Sequence, residues 1–196
     1  MQLDSLRGRR SSHRVPGRPA AVLVPLIDPE GVPRLLFTER SPELTRHAGQ
    51  ISFPGGRVDP SDATRHATAL REATEEVGLD PSEAEVLGEL DEITTVTGYA
   101  VRPVVAIVPA RRYHPDESEI VAVHPVPLET LLDTSLYERR IRPAAETERV
   151  IHYFHHDPVI WGATARICVQ LFAEALQWQP PSVEARVIEG PRDALP

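Results

Sequence analysis

The chain contains no lysine and only one cysteine, and each scarcity limits what the protein can be. With Cys168 alone, no disulfide can form within the chain, which is compatible with a reducing compartment. Without lysine, every fixed positive charge is an arginine, the side chain that binds phosphate through a bidentate fork. A complete absence of lysine is more typical of codon bias than of function, and it therefore carries no functional conclusion.

Long apolar runs are missing as well. No run approaches the roughly 20 residues needed to cross a bilayer, and the N-terminus lacks the apolar segment of a secretory signal. Residues 193–196 do not form a peroxisomal address. We therefore expect a cytoplasmic protein that does not act in a membrane.

The charge balance excludes one class of partner and suggests another. A net charge of −8 argues against a general nucleic-acid binder. Residues 72–92 are rich in aspartate and glutamate and contain no arginine. Such a local negative field requires cations, which metal ions could supply. The length of 196 residues with 41% hydrophobic residues predicts one domain with a sizeable core.

The most informative stretch is residues 55–79, whose second half is typical of a helix. Candidate N-cap side chains are Asp59, Ser61 and Asp62, and Gly78 lies where the helix should end. At about 100° per residue, one face is apolar and the other acidic. The apolar face contains Ala63, Ala67, Leu70, Thr74 and Val77, and the acidic face contains Glu72, Glu75 and Glu76. A plain solvated helix is the alternative, because exposed like charges cost only a few tenths of a kcal/mol per pair.

A glycine turn precedes this helix, at residues 53–56, which read Phe-Pro-Gly-Gly. Adjacent glycines let the backbone approach a ligand closely. Magnesium usually takes a few carboxylates together with phosphate oxygens of the substrate. The turn and the acidic helix together predict a site for a metal and a diphosphate. Oxygen ligands suit Mg²⁺ and Mn²⁺ alike, so the choice between them stays open.

Residues 71–79 resemble the core of the Nudix hydrolase signature. They read R-E-A-T-E-E-V-G-L, against R-E-U-x-E-E-x-G-U with U bulky and apolar; Ala73 is smaller than usual. The signature normally opens with glycine, five residues and glutamate. Here Asp62 takes the place of the glutamate, and eight rather than seven residues separate it from Arg71. The resemblance implies an α/β fold, an α/β/α sandwich with a mixed β-sheet between helices.

Residues 35–56 resemble the coenzyme A pyrophosphatase branch of that family, which also tends to carry the longer spacer. They read L-L-F-T-E-R-S-P-E-L-T-R-H-A-G-Q-I-S-F-P-G-G. The resemblance implies cleavage of coenzyme A or a derivative to 3′,5′-ADP and 4′-phosphopantetheine. One alternative is a pyrophosphatase of ADP-ribose or another nucleoside diphosphate derivative. A second is a non-catalytic ligand sensor. The presence of all three glutamates argues against it, because a sensor has no need of acids that repel one another. The preferred form of coenzyme A and a homodimeric state stay open.

The resemblance also implies roles for particular residues. The expected metal ligands are Glu72 and Glu76, with Glu75 for a second ion and the carbonyl of Gly56 completing the shell. Arg71 should hold a glutamate in place. The general base should be Glu119, or otherwise Glu75. The neighbouring acids Asp116 and Glu117 leave the choice at this position open.

The loop over residues 41–50 connects a predicted strand to the glycine turn, a natural place for substrate contacts. Coenzyme A carries a 3′-phosphate as well as a diphosphate, so several positively charged side chains would stabilise its binding. The candidates are Arg40, Arg46, His47 and Gln50. The alternative is that some of them only fix the loop.

The remaining pattern predicts the elements around this region. Strands are expected at 20–27 and 34–40, forming a hairpin, and at 84–94, 100–109, 119–123 and 150–156, with helices at 128–133 and 163–178. We expect a basic arm at 1–19, a single domain at 20–180 and a tail at 181–196. The arm is either loosely ordered or a lip that attracts anions. His152, His155 and His156 are interpreted as the end of a strand, because alternation places them on both faces.

Overall fold

Two β-sheets organise the computed structural model, which describes residues 3–28, 30–43, 49–143, 149–181 and 185–187. The first sheet contains β1 (Arg18–Ile27), β2 (Arg34–Arg40), β3 (Ile51–Ser52), β4 (Gly55–Arg57), β5 (Glu85–Glu89), β6 (Ile93–Thr94), β7 (Tyr99–Val108) and β8 (Ile120–Pro127). The second contains β9 (Tyr137–Arg142), β10 (Arg149–Phe154), β11 (Ile160–Trp161) and β12 (Arg186–Val187). The helices are α1 (Arg65–Val77), α2 (Leu128–Leu131) and α3 (Gly162–Leu176).

The first sheet is mixed, as predicted. Its central strand β1 runs parallel to β7 and antiparallel to β2, and the predicted hairpin pairs Leu26 with Leu35. Successive side chains of β1 point to opposite faces, and both Leu23 and Val24 are fully buried. Leu23 packs in the core beneath α1, whereas Val24 packs in the core that α3 covers. A strand buried on both faces explains its nearly continuous apolar sequence and confirms the α/β/α sandwich.

Helix α1 begins later than the sequence predicted. Its N-cap is Thr64, whose side chain accepts a hydrogen bond from the backbone N–H of Ala67. The three predicted caps are wrong: Asp59 closes a turn with Ser61, and the Asp62 carboxylate faces the side chain of Arg71. The predicted end is confirmed, since Gly78 adopts a left-handed φ of 68°.

The buried side of α1 is also rotated relative to the predicted apolar face. It contains Thr68, Ala69, Ala73, Glu76 and Val77, whereas Ala63 and Thr74 are exposed. The reason is that small alanines, not the larger Leu70, allow the helix to lie closely against β1 and β4. This orientation buries Glu76, whereas Glu75 is exposed and Glu72 is partly exposed.

The N-terminal segment lies beside β5. Leu6 is buried in the main core, and the backbone N–H of Gly8 donates to the carbonyl of Leu87. The guanidinium of Arg9 pairs with Glu174 on α3 at 3.2 Å. This segment therefore makes side-chain and backbone contacts with the folded body rather than only with solvent.

The second sheet contains a strand that the sequence pattern did not reveal. Residues 137–142 form β9, which pairs antiparallel with β10, and β10 itself corresponds to the strand predicted at 150–156. Helix α3 ends two residues earlier than predicted because Gln177 adopts a left-handed φ of 52°. Across the described part of the chain, no helix is both long enough and apolar enough to cross a membrane.

Candidate active site

Glu76 is the buried acid at the bottom of the predicted site. Only 5% of its surface is exposed. Its Oε2 accepts a hydrogen bond from the backbone N–H of Gly55 at 3.3 Å, and its Oε1 lies 3.5 Å from Nη1 of Arg40. Burial raises the pKa of this carboxyl to about 8, since the nearby arginine offsets the lost hydration only in part. A further cation would therefore stabilise the ionised form.

Glu72 lies one helical turn earlier and faces the glycine turn. Burial also raises the pKa of its carboxyl, against the opposing effect of Arg71, whose Nη2 lies 2.9 Å from Oε1. A β-carbon added to Gly56 would lie within 2.5 Å of the Glu72 carboxylate. The lack of a side chain at Gly56 is thus what leaves space for the Glu72 carboxylate beside the backbone.

Glu119 joins these acids from a distant part of the chain. It directly precedes β8, and its carbonyl accepts a hydrogen bond from the backbone N–H of Ser41 at 2.8 Å. Its Oε2 lies 3.7 Å from Nη2 of Arg40, so one guanidinium lies between Glu119 and Glu76. The charge of Glu119 contributes to the raised pKa values of Glu72 and Glu76. The fold therefore brings Glu119 and Glu76 to the same guanidinium, while Glu72 lies one helical turn before Glu76 on α1.

A β-bulge directs Arg40 into this group. The register of β2 against β8 shifts between Glu39 and Arg40, and such irregularities commonly re-aim a side chain beside an active site. The backbone N–H of Arg40 donates to the carbonyl of Gln50. Two of the four predicted substrate residues therefore lie next to each other. The other two, Arg46 and His47, lie outside the described residues.

The other acids that the sequence left open have different positions. The Glu75 side chain is 57% exposed and pairs with Nη1 of Arg71 at 3.0 Å. The Asp116 carboxylate accepts hydrogen bonds from the backbone and hydroxyl of Ser118, and so closes a turn. Glu117 is exposed in that turn. Among the three neighbouring acids, Glu119 is the one that contacts Arg40.

Sequence reasoning missed Asp62 as a site residue. Its two carboxylate oxygens accept hydrogen bonds from Nε and Nη2 of Arg71, each at 3.1 Å, and one also accepts from the hydroxyl of Thr68. The guanidinium holds the pKa of Asp62 at about 2. Arg71 in turn contacts Glu72 and Glu75. The signal is in the signature, where Asp62 stands at the first acidic position, but the aspartate and the longer spacer leave its role open in the sequence.

We expect Asp62→Asn to lower kcat about tenfold without a comparable change in KM, because Arg71 would no longer be fixed against the glutamates. The measurement is steady-state hydrolysis at saturating divalent cation. Asp59→Asn is the matched control, since Asp59 bonds Ser61 in the same loop. A proportional loss in both variants, or no recovery in Asp62→Glu, would contradict a positioning role for Asp62.

The described residues suit a divalent cation, although in their present arrangement no three His, Cys, Asp or Glu side chains among them surround a single point. Arg71 and Arg40 instead contact the carboxylates. The fit rests on the hard oxygen donors of Glu72 and Glu76, the weakly compensated burial of Glu76 and the space left by Gly56.

The structure combines a mixed sheet between helices with acidic residues beside a glycine turn, and comparison with known proteins identifies the class to which it belongs. The model of the NUDIX domain matches residues 17–147. The uncharacterized Nudix hydrolase NudL of Klebsiella pneumoniae (strain 342) is 44% identical over 168 residues, 85% of this chain and 87% of that protein. The chain therefore belongs to the Nudix hydrolase family, whose members act on small molecules and generally use divalent cations.

Solved structures agree with the fold. A Nudix hydrolase from Nitrosomonas europaea matches with a TM-score of 0.55 at 12% identity, covering 91% of this chain and 82% of that one. The Nudix hydrolase RenU of M. smegmatis matches with a TM-score of 0.50 at 22% identity, covering 63% of this chain and 84% of that one. Identities this low support the shared architecture only.

Proposed function

We propose that the chain hydrolyses the diphosphate bond of coenzyme A or a derivative, giving 3′,5′-ADP and 4′-phosphopantetheine. The observation that carries the proposal is that Arg40 lies between Glu76 and Glu119, while the Glu72 carboxylate lies beside Gly56 of the glycine turn. Residues 35–56, whose sequence resembles the coenzyme A pyrophosphatase branch, supply Arg40 at the end of β2 and the glycine turn beside Glu76 and Glu72.

Each acid has a proposed role. Glu76 and Glu72 would hold Mg²⁺ or Mn²⁺, with the carbonyl of Gly56 and, for a second ion, Glu75. A bound dication would neutralise the diphosphate and acidify water beside it. Glu119 is more exposed than Glu76 and is our candidate for the general base, with Glu75 as the alternative.

The proton and bond changes are simple. A water molecule gives a proton to the base and its oxygen forms a bond to one phosphorus, while the bond from that phosphorus to the bridging oxygen breaks. The bridging oxygen leaves with the second phosphate. Arg40 would contact the diphosphate oxygens, together with Arg46, His47 and Gln50 as further proposed substrate contacts. Arg71 would keep the glutamates oriented rather than touch the substrate.

Two alternatives use the same site. A pyrophosphatase of ADP-ribose or another nucleoside diphosphate derivative needs the same acids but no site for a pantetheine arm. A non-catalytic sensor would have no use for Glu76, whose burial as a carboxylate is costly. The acidic group thus favours a hydrolase over a sensor, and the choice of substrate rests on the loop sequence.

The decisive experiment is incubation with coenzyme A, its acyl and disulfide forms, and ADP-ribose, each with Mg²⁺ or Mn²⁺, followed by chromatography. We expect 3′,5′-ADP and 4′-phosphopantetheine, formed faster than any product from ADP-ribose. Faster cleavage of ADP-ribose would favour the first alternative. Binding of coenzyme A without products would favour the sensor. The same panel identifies the preferred metal.

We also propose a cytoplasmic location. The only cysteine, Cys168, is fully buried in α3, and burial raises the pKa of its thiol, so it is shielded from disulfide exchange. The proposal requires no membrane or nucleic-acid partner, and it leaves open whether two copies of the chain associate.

A further inference from the structure

A groove of about 280 Å³ lies between the edge strand β8 and residues 111–115. Its floor is formed by Leu36, Val121, Val123 and Pro125, and its opposite wall contains Arg112. Arg111 also lines the groove, which thus combines apolar side chains with two arginines, a mixture that suits a ligand with both methylene and carbonyl groups. None of the roles proposed above uses this groove.

The groove opens on the same face of the sheet as the acids. Leu36 and Val123 pack in the core beneath α1, the helix that carries Glu72 and Glu76. Strand β8 begins at Ile120, the residue after Glu119. Because a strand rises about 3.3 Å per residue, Pro125 lies roughly 17 Å along the strand from Ile120. The floor therefore leads away from the acids over the length of an extended small-molecule arm.

The wall of the groove is connected to the acids through the backbone. In the same segment as Arg112, the N–H of Asp116 donates to the carbonyl of Glu76 at 3.0 Å. Tyr113 is buried, and its hydroxyl bonds to the carbonyl of Pro109. This segment is thus held against both α1 and the sheet, so the groove is a formed feature beside the proposed reaction centre.

We propose that this groove binds the pantetheine arm of the substrate, including a short acyl group on its sulfur. The inference rests on the proposed hydrolysis of coenzyme A. The methyl groups and methylenes of the arm would lie on Leu36, Val121 and Val123. Its amide carbonyls would accept hydrogen bonds from Arg112, which is exposed and has no ion-pair partner among residues 3–28, 30–43, 49–143, 149–181 and 185–187. The nucleotide half would then lie on the opposite side of the diphosphate.

Val121→Trp tests this assignment, because Val121 is 47% exposed and a larger ring there would fill the groove without entering the core. We expect the inhibition constant of 4′-phosphopantetheine and the KM of coenzyme A to rise about tenfold or more, as apolar contacts are lost. The inhibition constant of 3′,5′-ADP should stay unchanged. Val150→Trp is the matched control, since Val150 is a strand valine with 45% exposure in the second sheet.

The outcomes separate the two proposals. If the unaltered protein does not cleave coenzyme A, the proposed function fails and the groove assignment fails with it. If coenzyme A is cleaved but Val121→Trp weakens both products equally, or behaves as Val150→Trp does, only the groove assignment is overturned. Weaker inhibition by 4′-phosphopantetheine alone, confined to Val121→Trp, supports it.

Discussion

Glu76→Gln is expected to lower kcat by about 10²- to 10⁴-fold, the largest effect of any single substitution in the site. The change removes the charge that would hold a dication and keeps the size of the side chain. It also keeps an acceptor for the backbone N–H of Gly55. The measurement is hydrolysis at several concentrations of Mg²⁺ and Mn²⁺, since excess metal should not restore the rate. A variant that keeps more than about a tenth of the rate would overturn the metal assignment.

The same substitution should change the pH dependence of stability, with a definite sign. The folded pKa of Glu76 is about 8, above its ordinary value of 4.5, so the protonated form favours folding. This contribution is complete below about pH 4.5 and is lost as the pH rises through about 8. Denaturant unfolding without metal should show the unaltered protein losing stability over that range and Glu76→Gln losing less. Glu117→Gln, at an exposed turn, is the matched control.

The second large effect is expected at the glycine turn. Gly56→Ala should reduce kcat about 100-fold while hardly changing the free energy of unfolding, since a misplacement of about 1 Å at a reacting group can cost that much. The three atoms nearest to the added β-carbon all belong to the carboxylate of Glu72, which can rotate away. Gly56 does not adopt a positive φ, so alanine is compatible with the backbone there. The measurements are steady-state kinetics and denaturant unfolding of the same preparation.

The neighbouring glycine supplies the control. A β-carbon at Gly55 would lie 2.5 Å from the carbonyl oxygen of Ala21 and 2.6 Å from Cα of Val22, both in the backbone of β1. Gly55→Ala should therefore destabilise the fold by about 1–3 kcal/mol, because neither atom can move independently of the sheet. Equal losses of stability in the two variants would contradict the view that Gly56 serves Glu72.

Local patterns predicted most of the elements and the acids of the site. The hairpin of β1 and β2, the end of α1 at Gly78 and the strand β7 follow from apolar runs and turn residues. The segment at 137–142 was missed because its arginines and glutamate hide the alternation, and only pairing with β10 makes it a strand. The contacts of Phe154 in β10 with the rings of Phe172 and Trp178 are likewise not visible in local patterns, because the three residues are far apart along the chain.

The helical pattern was least reliable for the orientation of α1. Leu70 is the largest apolar residue of the predicted face, yet the helix turns Ala69 and Ala73 toward the sheet. Propensity and periodicity cannot choose between these faces, since the choice depends on how closely the strands allow a helix to approach. The same rotation buries Glu76 and leaves Glu75 exposed, so it also separates the roles of two adjacent acids.

The family, the acidic helix and the glycine turn follow from the sequence alone, because they depend on residues close together along the chain. The packing of distant segments places Arg40 between Glu119 and Glu76 and sets Asp62 against Arg71. It also buries only one of the three acids of α1. Burial and charge pairing depend on distances between segments, which local patterns do not contain. The raised pKa of Glu76 therefore arises from packing rather than from local sequence.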